Sequence, residues 1–144
     1  MWILVVGPEG ALDRPEGAVA ALRELGCRVE TADLWDAFDD EALAREPPTV
    51  VLIDAIEEVD AGRAALMRVR AVGALAEVPV IIAVTVNAIT RLDVGDGFDD
   101  FVLAPFVPPE LYVRIRRAEW VRSEFAGQER IKMGSMLIDL AAHE

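Results

Sequence analysis

Five short apolar segments alternate with segments of helical spacing, and this alternation most constrains the fold of the chain. The predicted strands are residues 3–6, 27–31, 49–53, 80–84 and 98–103. The runs at residues 3–6 and 80–84 are apolar at every position and rich in β-branched residues. Such runs are typical of strands that are buried on both faces of a parallel sheet.

Segments with helical spacing follow each predicted strand. They lie between Asp13 and Gly26 and at residues 34–45, 61–72, 87–94 and 108–125. Asp13 is the expected N-cap of the first helix, and Gly26 supplies its left-handed stop. The regular alternation of strand and helix predicts an α/β protein, a flavodoxin-like doubly wound sheet of five parallel strands.

The carboxyl ends of the strands are the expected functional edge of such a sheet. Ligands of doubly wound folds bind in the crevice at these strand ends. Gly7, Asp54, Thr85 and Ala104 follow or end four of the predicted strands, so we expect them to meet there.

Composition limits the partners of this chain. Lys and Arg number 14 against 26 Asp and Glu, a formal net charge of −12. This balance disfavours binding of nucleic acid by this segment, because neutralising phosphates needs clustered cations. The longest apolar run, residues 78–86, is far shorter than the roughly 20 residues that span a bilayer, so we expect a cytoplasmic protein without membrane contact. Cys27 is the single cysteine, which leaves no disulfide and no cysteine-ligated metal.

Over residues 1–124 the chain resembles the receiver domains of response regulators. Residues 50–54 (VVLID) are similar to the acceptor strand of that family, and residues 97–106 (GFDDFVLAPF) to its G-A-D-D-Y-x-x-K-P-F segment. Residues 110–116 (ELYVRIR) resemble its E-L-x-x-R-I-R helix. The resemblance is to the winged-helix OmpR/PhoB class, and more closely to its orphan, GlnR-like members. It implies a CheY-like (βα)5 fold and a role in transcription regulation.

The end of the chain resembles the opening strand of the winged-helix effector domain. The resemblance runs through Ile131, Gly134, residues 137–139 and residues 143–144. It implies that residues 125–144 are a linker and the start of a truncated DNA-binding domain. DNA would then be bound only through that domain, and RNA polymerase is a further partner that the class implies.

The resemblance carries the phosphoacceptor position onto Asp54. In the family, two acidic residues after the first strand help to hold Mg²⁺, and a lysine before the proline of the fifth strand neutralises the phosphoryl oxygens. Here Gly7 and Pro8 replace the acidic pair, Ala104 replaces the lysine, and Glu9 comes one residue late. One carboxylate without partners is a poor Mg²⁺ site. We therefore expect no cofactor, weak or absent Mg²⁺ binding, and no catalytic residues.

Two further positions of the pocket depart from the family pattern. Thr85 lies one place after the position of the family's reporting hydroxyl, which an ungapped alignment gives to Val84. Phe101 matches the switch aromatic but lacks the hydroxyl of the commoner Tyr. Asp54 either accepts a phosphoryl group by an altered route, or is held by local hydrogen bonds or an arginine and stiffens the strand end. We favour the structural role, which predicts that Asp54→Ala costs stability.

The resemblance also implies a homodimer through the fourth predicted helix, the fifth strand and the fifth helix. Its charged partners fall on Asp99, Asp100, Glu110, Arg114 and, one place from the family position, Arg91. Tyr112, Val113, Ile89 and Leu92 are candidates for its apolar centre. Opposite charges on one patch suit a two-fold interface, in which each pair occurs twice. The alternative is that these charges form a solvated surface.

Three functions remain open from the sequence. The first is a regulatory domain of a transcription factor that dimerises without phosphorylation. The second is a phosphorylation-dependent receiver that uses Asp54. The third is a flavodoxin-like cofactor-binding protein, since Gly7 to Gly10 could form a small anion loop. The only histidine, His143, lies in the tail, so no Ser-His or Cys-His pair is expected and we predict no enzyme.

Overall fold

The computed structural model describes residues 2–122 as one doubly wound sheet. Its strands, all parallel, are β1 (Trp2–Gly7), β2 (Arg28–Asp33), β3 (Val50–Asp54), β4 (Val80–Thr85) and β5 (Asp100–Ala104). They lie in the order β2-β1-β3-β4-β5. The order reverses between β1 and β3, which places the crevice at their carboxyl ends. This architecture confirms the predicted fold class. The predicted linker and effector strand at residues 125–144 lie outside the described residues.

Five α-helices and three short 3₁₀ segments accompany the strands in the described part of the chain. The helices are α1 (Glu9–Leu12), α2 (Ala18–Glu24), α3 (Asp40–Arg45), α4 (Val59–Ala71) and α5 (residues 108–122). The 3₁₀ segments are Gly73–Leu75, Val86–Arg91 and Val94–Asp96. No helix described between residues 2 and 122 has the length and apolar character needed to cross a membrane.

The first predicted helix is divided in two, which corrects the expectation that Asp13 is its N-cap. Asp13 is instead the C-cap of α1, and α2 starts after Gly17. Pro15 explains the break, because it disfavours helical dihedrals at the preceding Arg14. The expected stop at Gly26 is present, with a positive φ of 85°.

The second predicted helix, residues 34–45, is shorter than expected, and the fourth is replaced by 3₁₀ turns. The side chain of Asp39 accepts a hydrogen bond from the Ala42 N–H, which starts α3 only at Asp40. After β4, Asp93 and Asp96 form a capping box around a new turn. The side chain of Asp93 takes a backbone N–H group that a continued helix of residues 87–94 would use, so a separate turn starts at this point.

Two layers of apolar side chains cover the sheet. Residues 3, 5, 50, 52, 81, 83 and 102 point to the face that packs against α2 and α5. Residues 4, 6, 51, 53, 80, 82 and 84 point to the opposite face, which packs against α4. Successive side chains of a strand alternate between faces. Gly7, Asp54, Thr85 and Ala104 therefore all belong to the face of α2 and α5.

Candidate functional site

Asp54 lies at the carboxyl end of β3 and lines a cavity of about 270 Å³. Only 3% of the surface of Asp54 is exposed to solvent. Its Oδ1 accepts a hydrogen bond from the Ile56 N–H at 3.2 Å, a local turn of the Asx type. The cavity is lined by Ala11, Arg14, Glu16, Gly17, Asp54, Ile56, Glu57, Thr85, Ala104 and Pro105.

The end of β1 brings no second carboxylate to Asp54. A Cβ added at Gly7 would lie 2.8 Å from the Asp54 Cβ, so the two strand ends are in close contact. Pro8 is the N-cap of α1. Glu9 is exposed, its N–H donates to the Asp33 Oδ1 at 3.2 Å, and it lines a different surface depression. Glu9 therefore faces β2 and does not substitute for the missing acidic pair.

An ion pair between Arg14 and Glu57 stands at the rim of the cavity. The guanidinium of Arg14 pairs with Glu57 and does not bond directly to Asp54. Burial, as the main cause, raises the pKa of Asp54, and the nearby Glu57 carboxylate adds to this effect. The hydrogen bond from Ile56 and the charge of Arg14 oppose it. Asp54 is thus a desolvated carboxyl group with one donor from the described residues.

Thr85 and Ala104 are neighbours at the ends of β4 and β5. Both line the Asp54 cavity. Val84 is fully buried on the opposite face of the sheet, so Thr85 supplies the hydroxyl at this edge. Phe101 lies elsewhere: it packs against the core on the α4 face, with the Arg114 guanidinium 5.6 Å from its ring centroid.

The predicted dimer charges form pairs within the chain. Arg114 binds Asp100, with N–O distances of 3.1 and 3.2 Å, and Glu110 at 3.4 Å. Arg91 binds Asp60 at 2.7 Å, away from these groups. The structure thus brings Asp100, Glu110 and Arg114 together but places Arg91 in a different ion pair.

Asp99 has a structural role that the sequence did not reveal. Its Oδ2 accepts from the Val80 N–H at 2.7 Å and from Arg70 at 2.8 Å, and its Oδ1 accepts from Arg122 at 2.8 Å. Arg70 also donates to the carbonyl oxygens of Val78 and Gly97. Asp99 therefore ties β4, α4 and α5 together at the edge of the sheet.

The apolar residues proposed for the dimer centre divide into two groups. Tyr112 and Val113 are exposed on α5. Ile89 and Leu92 are partly buried and pack against the core on the α4 face. Of these four side chains, only Val113 presents more than half of its surface to solvent.

This fold with Asp54 at the end of β3 defines the class of CheY-like receiver domains. The receiver domain of the sensor histidine kinase PA1611 from Pseudomonas aeruginosa PAO1 is 27% identical, with a TM-score of 0.63 over 81% of this chain and 95% of that chain. The chemotaxis protein CheY4 of Vibrio cholerae is 20% identical, with a TM-score of 0.62 over 82% of this chain and 98% of that chain. NtrX from Brucella abortus is 20% identical, with a TM-score of 0.66 over 91% of this chain but only 30% of that chain.

Within this class, the chain belongs to the family of the N-terminal domain of the transcription regulator GlnR, whose model matches residues 3–119. A comparison with curated proteins found no match. The chain is a response-regulator receiver domain of this family.

The cavity does not fit the Mg²⁺ ion that receiver chemistry uses. The PA1611 receiver domain was solved with magnesium coordinated in its active-site cleft. Mg²⁺ requires near-octahedral oxygen coordination at about 2.0–2.1 Å. Between residues 2 and 122, no group of three or more acidic, His or Cys side chains is placed to hold a metal ion. Glu57, the nearest acidic neighbour along the chain, is paired with Arg14.

Proposed function

We propose that this chain is the regulatory domain of a transcriptional response regulator that dimerises without phosphorylation and catalyses no reaction. The observation that carries the proposal is the environment of Asp54, a buried carboxyl group in a cavity without a fitting set of Mg²⁺ ligands. Membership of the GlnR N-terminal family supports a role in transcription regulation.

The charges around Asp54 oppose its phosphorylation. A phosphoryl group on Asp54 would add negative charge to a cavity that Glu16 and Glu57 also line. Arg14 is the single cation among the lining residues, and it already pairs with Glu57. Ala104 offers no positive charge to the phosphoryl oxygens. Phosphoryl transfer depends on such electrostatic compensation, so its loss removes the usual trigger of a receiver.

The proposed dimer face is formed by the segment after β4, by β5 and by α5. Val113 is 62% exposed and lies beside Tyr112 and the ion pair of Arg114 with Asp100. In a two-fold interface these opposite charges can exchange partners between copies. The pair is partly buried, and even exposed ion pairs contribute only about 0 to 1 kcal/mol each, so we assign to these charges the register of the two copies rather than the affinity. The apolar side chains would supply the affinity.

The proposal places the chain in the winged-helix OmpR/PhoB class. Residues 125–144 are interpreted as a linker and the first strand of the DNA-binding domain, on the basis of their similarity to that strand. DNA would be bound through that domain, since the chain's net charge of −12 disfavours DNA binding by the receiver segment. RNA polymerase is a further proposed partner. A regulator of this kind works in the cytoplasm.

Sedimentation velocity of the 144-residue chain at micromolar concentration tests the proposal. We expect a dimer that neither Mg²⁺ nor acetyl phosphate changes, with no phosphoryl adduct in the intact mass. Val113→Glu should produce a monomer. Met67→Glu is the matched control, because Met67 is 71% exposed on α4, outside the proposed face. A monomer that dimerises only with Mg²⁺ and acetyl phosphate, and gains an adduct at Asp54, would establish the phosphorylation-dependent alternative.

A further inference from the structure

The cavity beside Asp54 has the features of a binding site for a small molecule. It is an open cavity of about 270 Å³ at the carboxyl ends of β3, β4 and β5. Small-molecule sites of doubly wound folds lie at this edge of the sheet. Phosphorylation does not explain why this edge of the sheet has an open cavity with these lining residues.

A buried carboxyl group faces into this cavity with its hydrogen bonding incomplete. Asp54 is 3% exposed, and only its Oδ1 accepts a hydrogen bond from the described residues. A carboxylate has two oxygens and can accept several hydrogen bonds. Oδ2 has no partner among the described residues and is not fully buried, so it is accessible from the cavity. A ligand that donates hydrogen bonds to Oδ2 would complete the site.

The lining residues carry more acidic than basic groups, which favours a cationic ligand. Asp54, Glu16 and Glu57 bring three carboxyl groups to the cavity, and Arg14 brings one guanidinium group that already pairs with Glu57. Anionic ligands are therefore repelled. A metal cation does not suit the site either, since the described side chains form no metal-binding group.

The apolar residues of the lining favour a cation that carries a short hydrocarbon chain. Ile56, Ala104, Pro105 and Ala11 present apolar surface around the carboxyl group of Asp54. The small side chain of Ala104 leaves room at the end of β5. The hydroxyl of Thr85 is a second acceptor close to the edge of the sheet. A short alkyl chain with one charged hydrogen-bond donor matches this combination.

We propose that the cavity binds a small primary alkylammonium ion, with its nitrogen at the Asp54 carboxylate and its alkyl chain against Ile56, Ala104 and Pro105. Binding exchanges no atoms or electrons. Ala104 at the end of β5 lines the cavity and also belongs to the proposed dimer face, whereas Tyr112 and Val113 of that face do not line it. This inference rests on the proposed function in so far as Asp54 is not phosphorylated, and the sedimentation experiment tests that function separately from ligand binding.

The binding of such an ion depends on pH through Asp54. The ammonium ion pairs with the ionised carboxylate, and burial raises the pKa of Asp54 above its usual range. The charged groups that line the same cavity are Arg14, Glu16 and Glu57. Affinity should therefore fall on acidification, starting at a pH above the ordinary aspartate value of about 3.9.

Titration of the 144-residue chain with propylammonium chloride, followed by amide chemical shifts, tests the proposal. Propanol and propionate serve as neutral and anionic probes of similar shape. We expect saturable shifts at residues around Asp54 with propylammonium, and affinity lower by about tenfold or more for propanol, as for the loss of a hydrogen bond to a charged group. Propionate should not bind.

Three variants assign the effect to the cavity. Asp54→Asn removes the charge with little change of shape and should weaken propylammonium binding by about tenfold or more. Ala104→Leu fills the cavity and should abolish binding. Glu41→Gln is the control, because it removes one negative charge from exposed α3 and should leave the affinity unchanged. Absence of saturable binding, equal affinity for propanol, or equal affinity of Asp54→Asn for propylammonium would each overturn the proposal.

Discussion

Replacing Asp54 by Asn and by Ala separates the two contributions that this residue makes to stability. Asn keeps an oxygen acceptor for the Ile56 N–H and removes the desolvated charge. Ala removes both and enlarges the cavity. A buried donor that is left unpaired costs about 1 to 3 kcal/mol. We therefore expect Asp54→Ala to be less stable than Asp54→Asn by about 1 to 3 kcal/mol, and Asp54→Asn to be more stable than the parent at pH 7.

The pH dependence provides a sharper form of this prediction. Burial raises the pKa of Asp54 in the folded state above its unfolded value. Folding therefore favours the protonated form, and the stability that this preference provides is lost as the pH rises through the folded pKa. Asn is neutral at every pH. The advantage of Asp54→Asn should be largest at neutral pH and should disappear below the unfolded pKa of about 3.9.

Urea unfolding of the parent and both variants between pH 4 and pH 8 measures these differences. Contributions from titrating groups that do not interact with Asp54 cancel between parent and variant. If Asp54→Asn is less stable than the parent at pH 7, or if its advantage does not change with pH, burial of the charged carboxylate does not destabilise this domain. An Asp54→Ala variant as stable as Asp54→Asn would show that the hydrogen bond to Ile56 has no structural importance.

Two further predictions concern residues outside the cavity. Arg63 donates two hydrogen bonds to Asp96 and lowers the pKa of that carboxyl group, so its contribution is present at neutral pH and is lost as the pH falls through the lowered pKa. Asp96→Asn should cost about 0.2 to 1 kcal/mol at pH 7 and nothing in acid, as seen by urea unfolding at both pH values; a constant loss would contradict this. A Cβ added at Gly62 would overlap the Cβ of Ala55, so Gly62→Ala should lower the unfolding free energy by about 1 to 3 kcal/mol. Gly10→Ala, with open space around it, should be neutral or slightly stabilising, and equal effects of the two would refute the steric argument.

The strands could be predicted from the sequence because burial on both faces leaves a continuous apolar signal. Residues 50–54 and 80–85 form strands within one residue of the predicted bounds. The helices were less predictable, since local competition decides their ends. Pro15 divides the first predicted helix, and Asp93 starts a new turn after β4. Neither effect changes the apolar periodicity from which the helices were predicted.

The residues around Asp54 were predictable only where they end strands. Thr85 and Ala104 follow from the rule that parallel strands bring their carboxyl ends together. The ion pair of Arg14 with Glu57 joins two loops that are far apart in sequence, and no local pattern marks such a contact. The same limit applies to Asp99: the sequence identifies its charge, but only the fold shows that Arg70 and Arg122 already neutralise it.

The departure from the receiver pattern at position 7 is part of the packing of this domain, and not a simple loss of an acidic side chain. A Cβ at Gly7 would lie 2.8 Å from the Asp54 Cβ and 3.2 Å from the Leu12 Cδ2. Contacts under 3.0 Å between carbon atoms require one of the groups to move, and a well-packed interior resists such movement. An acidic residue at this position would displace Asp54 or α1 before it could share a metal ion with Asp54. Recovery of Mg²⁺ chemistry would therefore require the ends of β1 and β3 to separate, in addition to the return of a carboxylate and of a cation at Ala104. The close contact of these two strand ends explains why the cavity forms on the other side of Asp54, towards Thr85 and Ala104, where small side chains leave the space.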